Sequence, residues 1–181
     1  NNLNIYLKYY LTSLFVFGVF YLYQKHATGN DSTISEWFIN YTGGFTRRGL
    51  MGQLSIYFAN YFNLGLRDSI LILQILTLMV YFISLYYFLR NLKTNKIIIL
   101  AIFTPIFILY PIAEIEVLAR KELLIFCIYL FYFFINENTH RFYYKLFFLP
   151  LAVLIWEPVF FFFTFFLVID IVKERSEKIN I

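Results

Sequence analysis

The chain of 181 residues is more apolar than a soluble domain, with 61% hydrophobic and only 14% charged residues, since soluble domains are about half apolar and a quarter charged. Its net charge of +4 is explained by lysines and arginines in the cytoplasmic loops of a membrane protein, so we expect the lipid bilayer, and no nucleic acid, as a partner. The single cysteine, Cys127, excludes an intrachain disulfide. Composition therefore predicts an all-α fold, a polytopic transmembrane helical bundle.

The apolar blocks predict about five to six membrane segments, because about 20 apolar residues suffice to cross a bilayer. We place these segments at residues 5–23, 69–89, 97–113, 119–136, 146–156 and 158–172. After the first segment, apolar residues recur at spacings of three and four, which predicts an interfacial amphipathic helix at about 47–62. We expect residues 1–181 to form a single transmembrane domain, a fragment of a longer protein, because the chain begins with Asn1 rather than Met.

The last apolar stretch, 146–172, is interrupted by the tripeptide WEP at 156–158 and has two interpretations. It forms either one tilted, kinked helix or two short segments that meet at the far membrane face. The positive-inside rule favours the pair when the N-terminus is cytoplasmic, because the basic residues after 172 then return to the cytoplasm. This topology puts three polar stretches on the outer side of the membrane, at 24–67, 113–122 and 156–158.

Two adjacent arginines, Arg47 and Arg48, follow the pair Gly43-Gly44 at the start of the predicted amphipathic helix. The glycines allow a sharp turn, and Thr46 could act as the N-cap of the helix. Cations are mildly unfavourable at a helix N-terminus, and a broken local rule often marks a functional site. Backbone N–H groups and two guanidinium groups together suit a phosphate or pyrophosphate.

The same loop carries two acids, Asp31 and Glu36, which leave other interpretations open. The arginines could pair with these acids, or could bind lipid head groups without specificity. Carboxylates in an outward loop could serve as a general base or hold a divalent metal. No metal-ligand spacing is recognisable, however, and Asp31 could equally cap a turn.

The other two polar stretches also combine charge with a membrane boundary. Glu116 and Arg120 are four residues apart and would share one face of a helix. Such charges could form a solvated ion-pair cap, or line a cavity in which Arg120 and Lys121 hold an anion while a glutamate positions them or moves a proton. Trp156 and Glu157 could bind a sugar, or could be an interfacial aromatic and an acid beside a helix-breaking proline.

The three stretches together resemble a known class of membrane protein. The segments GGFTRRGLMG, ARKE and WEPVFFFF, within 40–52, 114–122 and 155–163, are similar to polytopic proteins of bacterial surface-polysaccharide loci. These include O-antigen-polymerase-like proteins and glycosyltransferases of the GT-C type. The resemblance implies a multi-pass protein of the bacterial cytoplasmic membrane that uses polyprenyl-linked sugars at the outer face. The chain departs from this class in its shorter length and in the absence of a clear paired-acid motif in the first loop.

The resemblance also implies roles for individual residues. The lipid phosphate would be bound by four cations, Arg47, Arg48, Arg120 and Lys121, and the acceptor hydroxyl would be activated by one of three acids, Glu36, Glu116 or Glu157. Glycosyl transfer needs both functions, charge stabilisation on the departing phosphate and a base for the hydroxyl. No nucleotide-binding, hydrolase, metalloprotease or paired-cysteine motif occurs, and the sequence leaves any cofactor unknown.

The alternative function is a non-enzymatic one, as a transporter or flippase component or as a membrane scaffold. A transporter is expected to carry ionisable groups or paired broken helices near the bilayer midplane. Apart from serine and threonine, Gln74 is the only clearly polar residue in the middle of a predicted segment. The sequence therefore favours the enzyme over ion-coupled transport.

Overall fold

The computed structural model describes residues 2–90, 96–104 and 116–179. Its regular secondary structure within these ranges is entirely α-helical, which confirms the all-α class. The helices, in chain order, are α1 (Asn2–Thr28), α2 (Ser35–Phe38), α3 (Leu50–Phe62), α4 (Leu66–Arg90), α5 (Lys96–Phe103), α6 (Glu122–Phe134), α7 (Asn138–Ile155), α8 (Val159–Phe162) and α9 (Thr164–Ile179). The later part of the predicted segment 97–113, from residue 105 onwards, lies outside the described residues.

Two of the described helices, within α1 and α4, are long and apolar enough by length and composition to cross a membrane. This is fewer than the predicted five to six, and the larger bundle stays a prediction. For the predicted segment 119–136, the reason is the length of its helix. Helix α6 has 13 residues and is therefore about 20 Å long, which is shorter than the roughly 30 Å of a hydrocarbon core. The two long helices are compatible with membrane association.

Helix α4 lies at the centre of the packing, because it contacts α1, α3 and α6. One apolar cluster joins the leucines of α1 to the second half of α4 and to the start of α6. A second cluster joins α2, α3 and the first half of α4 to α6, α7 and α9. The two clusters together bring the loop after α2, the turn before α6 and the break after α7 into reach of one another.

The predicted capping of the amphipathic helix by Thr46 is wrong. Helix α3 begins at Leu50, and its N-cap is Gly49, which makes no side-chain capping bond. The Thr46 hydroxyl instead donates to the backbone oxygen of Asn40 at 2.8 Å. Thr46 therefore fastens the loop in front of the helix, and this loop carries the two arginines.

Helix α7 ends at Ile155, so the last apolar stretch is divided at the tripeptide that interrupts its sequence. The backbone N–H of Trp156 donates to the oxygen of Ala152 at 2.8 Å, and the chain turns before α8 begins at Val159. Pro158 occupies the position before α8, where its missing N–H costs no helical hydrogen bond. The arrangement of α7 and α9 as two membrane segments that meet at the far face stays a prediction.

Candidate functional site

Charged side chains from all three polar stretches lie in one cluster. Both arginines of the first loop contact Glu157 in the break after α7, with Arg48 Nη2 3.4 Å from Oε1 and Arg47 Nε 3.6 Å from Oε2. Both separations exceed the roughly 2.7–2.9 Å of a tight charge-assisted hydrogen bond. The side chain of Arg47 is 82% exposed and that of Arg48 31%. These two guanidinium groups can therefore reach a ligand as well as Glu157.

Lys121 joins the turn before α6 to the same loop. Its ammonium group is fully buried and donates to the backbone oxygen of Arg48 at 2.8 Å. Arg48 has a left-handed backbone with φ of 63°, which is unusual for a residue with a side chain, and this hydrogen bond helps to hold it. Burial lowers the pKa of Lys121 to about 8, against the opposing effect of the nearby Glu36. Lys121 thus supports the arginine loop from inside the protein.

Arg120 pairs with two carboxylates rather than with the one predicted from helical spacing. Its Nη2 lies 2.8 Å from Oε1 of Glu36 and 3.0 Å from Oε1 of Glu122. The prediction that Glu116 and Arg120 share a helical face is wrong, because residues 116–119 form a turn and α6 begins only at Glu122. Glu116 is exposed in this turn.

A buried polar network fixes the turn that presents Arg120 and Lys121. The backbone oxygen of Ala119 accepts hydrogen bonds from Trp37 Nε1 at 3.2 Å and from Gln74 Nε2 at 3.3 Å. The Gln74 oxygen in turn lies 2.8 Å from Nε2 of His26. Buried polar groups are costly unless they are paired, so this network explains the polar residue in the middle of α4 and anchors the turn to α1, α2 and α4.

The first loop acid, Asp31, lies in a different set of contacts. Its carboxylate is 2.8 Å from Nη2 of Arg67, and Arg67 Nε also donates to the backbone oxygen of His26 at 3.0 Å. The alternative in which Arg47 and Arg48 pair with Asp31 and Glu36 is therefore not the one that forms.

An apolar groove of about 460 Å³ begins beside the charged cluster. It lies between one face of α6 and the segment that contains α8 and the start of α9. Its polar lining residues are Arg120 and Glu122, and the others are Val117, Ile125, Phe126, Tyr129, Trp156, Phe162, Phe165 and Ile169. The rings of Trp156 and Phe162 stack at 5.8 Å, which links the break after α7 to the groove wall. The site thus combines a charged cluster with an adjoining apolar groove.

Two residues that form or support the cluster, Glu122 and Trp37, were not singled out as site residues from the sequence. Glu122 lies two positions after Arg120, a spacing that predicts no contact on a helix, and its role depends on the turn before α6. Trp37 follows Glu36 directly and is fully buried, although its sequence context of polar loop residues gives no sign of burial. The interrupting proline at 158 and the glycine pair were the usable signals for the positions of the loops.

Within residues 2–90, 96–104 and 116–179, no group of three or more His, Cys, Asp and Glu side chains could hold a metal ion. Glu36 and Glu122 share Arg120 between them, so their negative charge is partly neutralised by a cation of the chain itself. No protein family, curated protein or solved structure matches the chain. The case for a function therefore depends on the geometry of the site.

Proposed function

We propose that the chain is a membrane-embedded glycosyltransferase or polysaccharide polymerase that acts on polyprenyl-phosphate-linked sugars at the outer face of the bacterial cytoplasmic membrane. The observation that carries this proposal is the convergence of the two arginines with Glu157 beside an apolar groove. A lipid-linked sugar has matching parts, because it combines a phosphate, a sugar and a hydrocarbon chain. The proposal includes the predicted five to six membrane segments and a cytoplasmic N-terminus.

The four predicted phosphate-binding cations support the proposal to different degrees. Arg47 and Arg48 are accessible, and their long contacts with Glu157 can be exchanged for contacts with a phosphate at little cost, since exposed ion pairs contribute only about 0–1 kcal/mol. Arg120 is held between two carboxylates, and Lys121 is buried on a backbone oxygen. We therefore assign phosphate binding to the arginine pair and a supporting role to the other two cations.

Among the three predicted acids, Glu157 is best suited to act as the base. It is half-buried and contacts both arginines, so an acceptor hydroxyl beside it would also lie beside the bound phosphate. In the transfer step the carboxylate takes the hydroxyl proton, the hydroxyl oxygen bonds to the anomeric carbon, and the bond from that carbon to the phosphate oxygen breaks. The phosphate keeps the electron pair, and the arginines stabilise its charge. Glu36 supports Arg120, and Glu116 lies exposed in the turn.

The test replaces Arg47, Arg48 or both with lysine and measures polysaccharide synthesis or binding of a lipid-linked sugar at matched expression. Arginine presents a planar fork of donors, whereas lysine presents a point charge, so we expect the double variant to lose most activity while it keeps its membrane insertion. The control is Arg90→Lys, because Arg90 is an exposed cation at the far end of α4. Wild-type synthesis by the double lysine variant would show that the arginines serve only as interfacial anchors.

A further inference from the structure

Where the groove meets the charged cluster, Arg120 keeps one unsatisfied donor and Glu122 one unsatisfied acceptor. Arg120 and Glu122 are joined through Nη2 and Oε1 at 3.0 Å. Their remaining atoms Nε and Oε2 are both buried, and neither has a hydrogen-bond partner within the part of the chain that the structure describes. A buried polar group without a hydrogen-bond partner is costly, and more so when it is charged. A ligand that satisfies both atoms would remove that cost.

The chemistry of the two atoms selects the ligand group. The guanidinium Nε–H can only donate, and an ionised carboxylate oxygen can only accept. A phosphate could accept from Arg120, but this one cation already pairs with two carboxylates, Glu36 and Glu122, and a phosphate would add a third anion to them. A hydroxyl group satisfies both atoms at once, because it accepts one hydrogen bond and donates another. The pair therefore fits an alcohol and disfavours an anion.

The rest of the groove selects what the hydroxyl is attached to. Residues 122, 125, 126 and 129 share one face of α6, and beyond Glu122 this face is apolar or aromatic. The hydroxyl of Tyr129 already donates to the backbone oxygen of Phe162 at 2.9 Å. A molecule with several hydroxyl groups would leave most of them unpaired inside such a channel. A hydrocarbon chain, in contrast, gains free energy from every apolar surface that it covers there.

We infer that this groove binds an amphiphile with a hydroxyl group at its head and its hydrocarbon part along α6. The side chains of Arg120 and Glu122 are 32% and 21% exposed, so a rotation of both turns their buried atoms Nε and Oε2 toward the groove, where the hydroxyl bridges them. The binding uses neither Arg47 nor Arg48, so this inference and the proposed function can fail separately. If the proposed function and this inference both hold, the alcohol group lies at the Arg120 and Glu122 end of the charged cluster.

The protein contains a reporter for this test, because it has only two tryptophans. Trp156 lines the groove, whereas Trp37 is fully buried against the turn before α6. The full chain is placed in nanodiscs of phosphatidylcholine, a lipid without a hydroxyl group. Tryptophan fluorescence is then titrated with a terminally brominated long-chain alcohol and with its methyl ether, which has the same chain but cannot donate a hydrogen bond.

We expect the alcohol to quench Trp156 at a concentration at least about tenfold lower than the ether, since a hydrogen bond to a charged group is strong enough to give that factor. Trp37→Phe should keep this quenching and Trp156→Phe should lose it. Glu122→Met removes the acceptor and should abolish the preference for the alcohol, whereas the matched control Glu116→Met, in the exposed turn, should preserve it. The double Arg47→Lys, Arg48→Lys variant should also preserve it.

Three results would overturn the inference. Equal quenching by alcohol and ether in the wild-type protein would show that the groove takes any hydrocarbon chain. Quenching that is lost in Trp37→Phe and kept in Trp156→Phe would place the ligand outside the groove. If Glu122→Met does not fold, Arg120→Lys serves in its place, because it keeps a cation between the two acids and removes Nε; a preference that survives this change would exclude the pair as the hydroxyl site.

Discussion

Gly52 is the position at which a single methyl group should most directly disturb the candidate site. Helix α3 lies so close to the loop after α2 that an alanine Cβ at position 52 would be 2.0 Å from the backbone oxygen of Ile39 and 2.9 Å from that of Trp37. Ordinary contacts of a Cβ atom begin at 3.4 Å. The clash is with the backbone, so no side-chain rotation can relieve it, and the loop must move away from α3 by more than about 1 Å.

The cost of Gly52→Ala can be bounded from this geometry. Overpacking of a close contact costs about 1–3 kcal/mol, and occasionally more. A backbone clash of this depth should lie at the upper end, partly offset by the preference of alanine for helices, about 0.8–1.0 kcal/mol. We therefore expect a net destabilisation of about 2 kcal/mol. For a chain of this length that corresponds to an apparent melting temperature lowered by roughly 4–8 °C.

The assay is thermal unfolding of the purified protein in detergent, together with the synthesis or binding assay for the arginine variants. The control is Gly43→Ala, because a Cβ at position 43 would meet nothing within 4 Å. We expect Gly52→Ala to lower both stability and activity, since the displaced loop leads directly to Arg47 and Arg48, and Gly43→Ala to change neither. Equal melting temperatures for the wild type and Gly52→Ala would refute the close approach of α3 to this loop.

Two further predictions concern topology and charge. Single cysteines at Asn40, Asn95 and Lys178, in a Cys127→Ala background, should be labelled by an impermeant thiol reagent from outside at position 40 only; outside labelling at 178 would refute the paired arrangement of the last apolar stretch. Burial lowers the pKa of Lys121 to about 8 from 10.5, so its charged form is disfavoured in the folded state, and raising the pH from 8 to 10.5 should stabilise the wild type relative to Lys121→Met. A difference in melting temperature between these two proteins that stays constant over this pH range would contradict the burial of the amine.

The sequence carried enough information for the two long helices and for the amphipathic one. Continuous apolar residues at 69–89 are matched by α4, and spacings of three and four after Leu50 are matched by α3. These features depend on neighbours within one or two helical turns, which the sequence displays directly. The ends of the helices were harder to predict from the sequence. Thr46 is a good capping residue by type, and yet its hydroxyl donates to the backbone oxygen of Asn40 in the loop.

The pairing of the charged residues could not be predicted in the same way. Arg48 and Glu157 are 109 positions apart, and Arg120 and Glu36 are 84 apart. The packing of α4 against α1, α3 and α6, and of α7 against α3 and α6, brings such distant positions together, and no local periodicity encodes it. The local rule gave a wrong pair for Arg120, because the hydrogen bonds of Trp37 and Gln74 to Ala119 hold a turn where the spacing suggested a helix.

The candidate site therefore contains two kinds of cation, which differ in how easily a ligand could recruit them. Displacing Lys121 from the oxygen of Arg48 would leave a fully buried amine and a carbonyl without partners, and each such loss costs about 1–3 kcal/mol. Displacing Arg47 from Glu157 costs little, because the contact is long and the side chain is largely in solvent. A phosphate should thus bind to Arg47 and Arg48, whose contacts with Glu157 are easily exchanged, while Lys121 stays in place and holds their loop. This division explains why we assign ligand binding to the arginines that the structure holds least tightly.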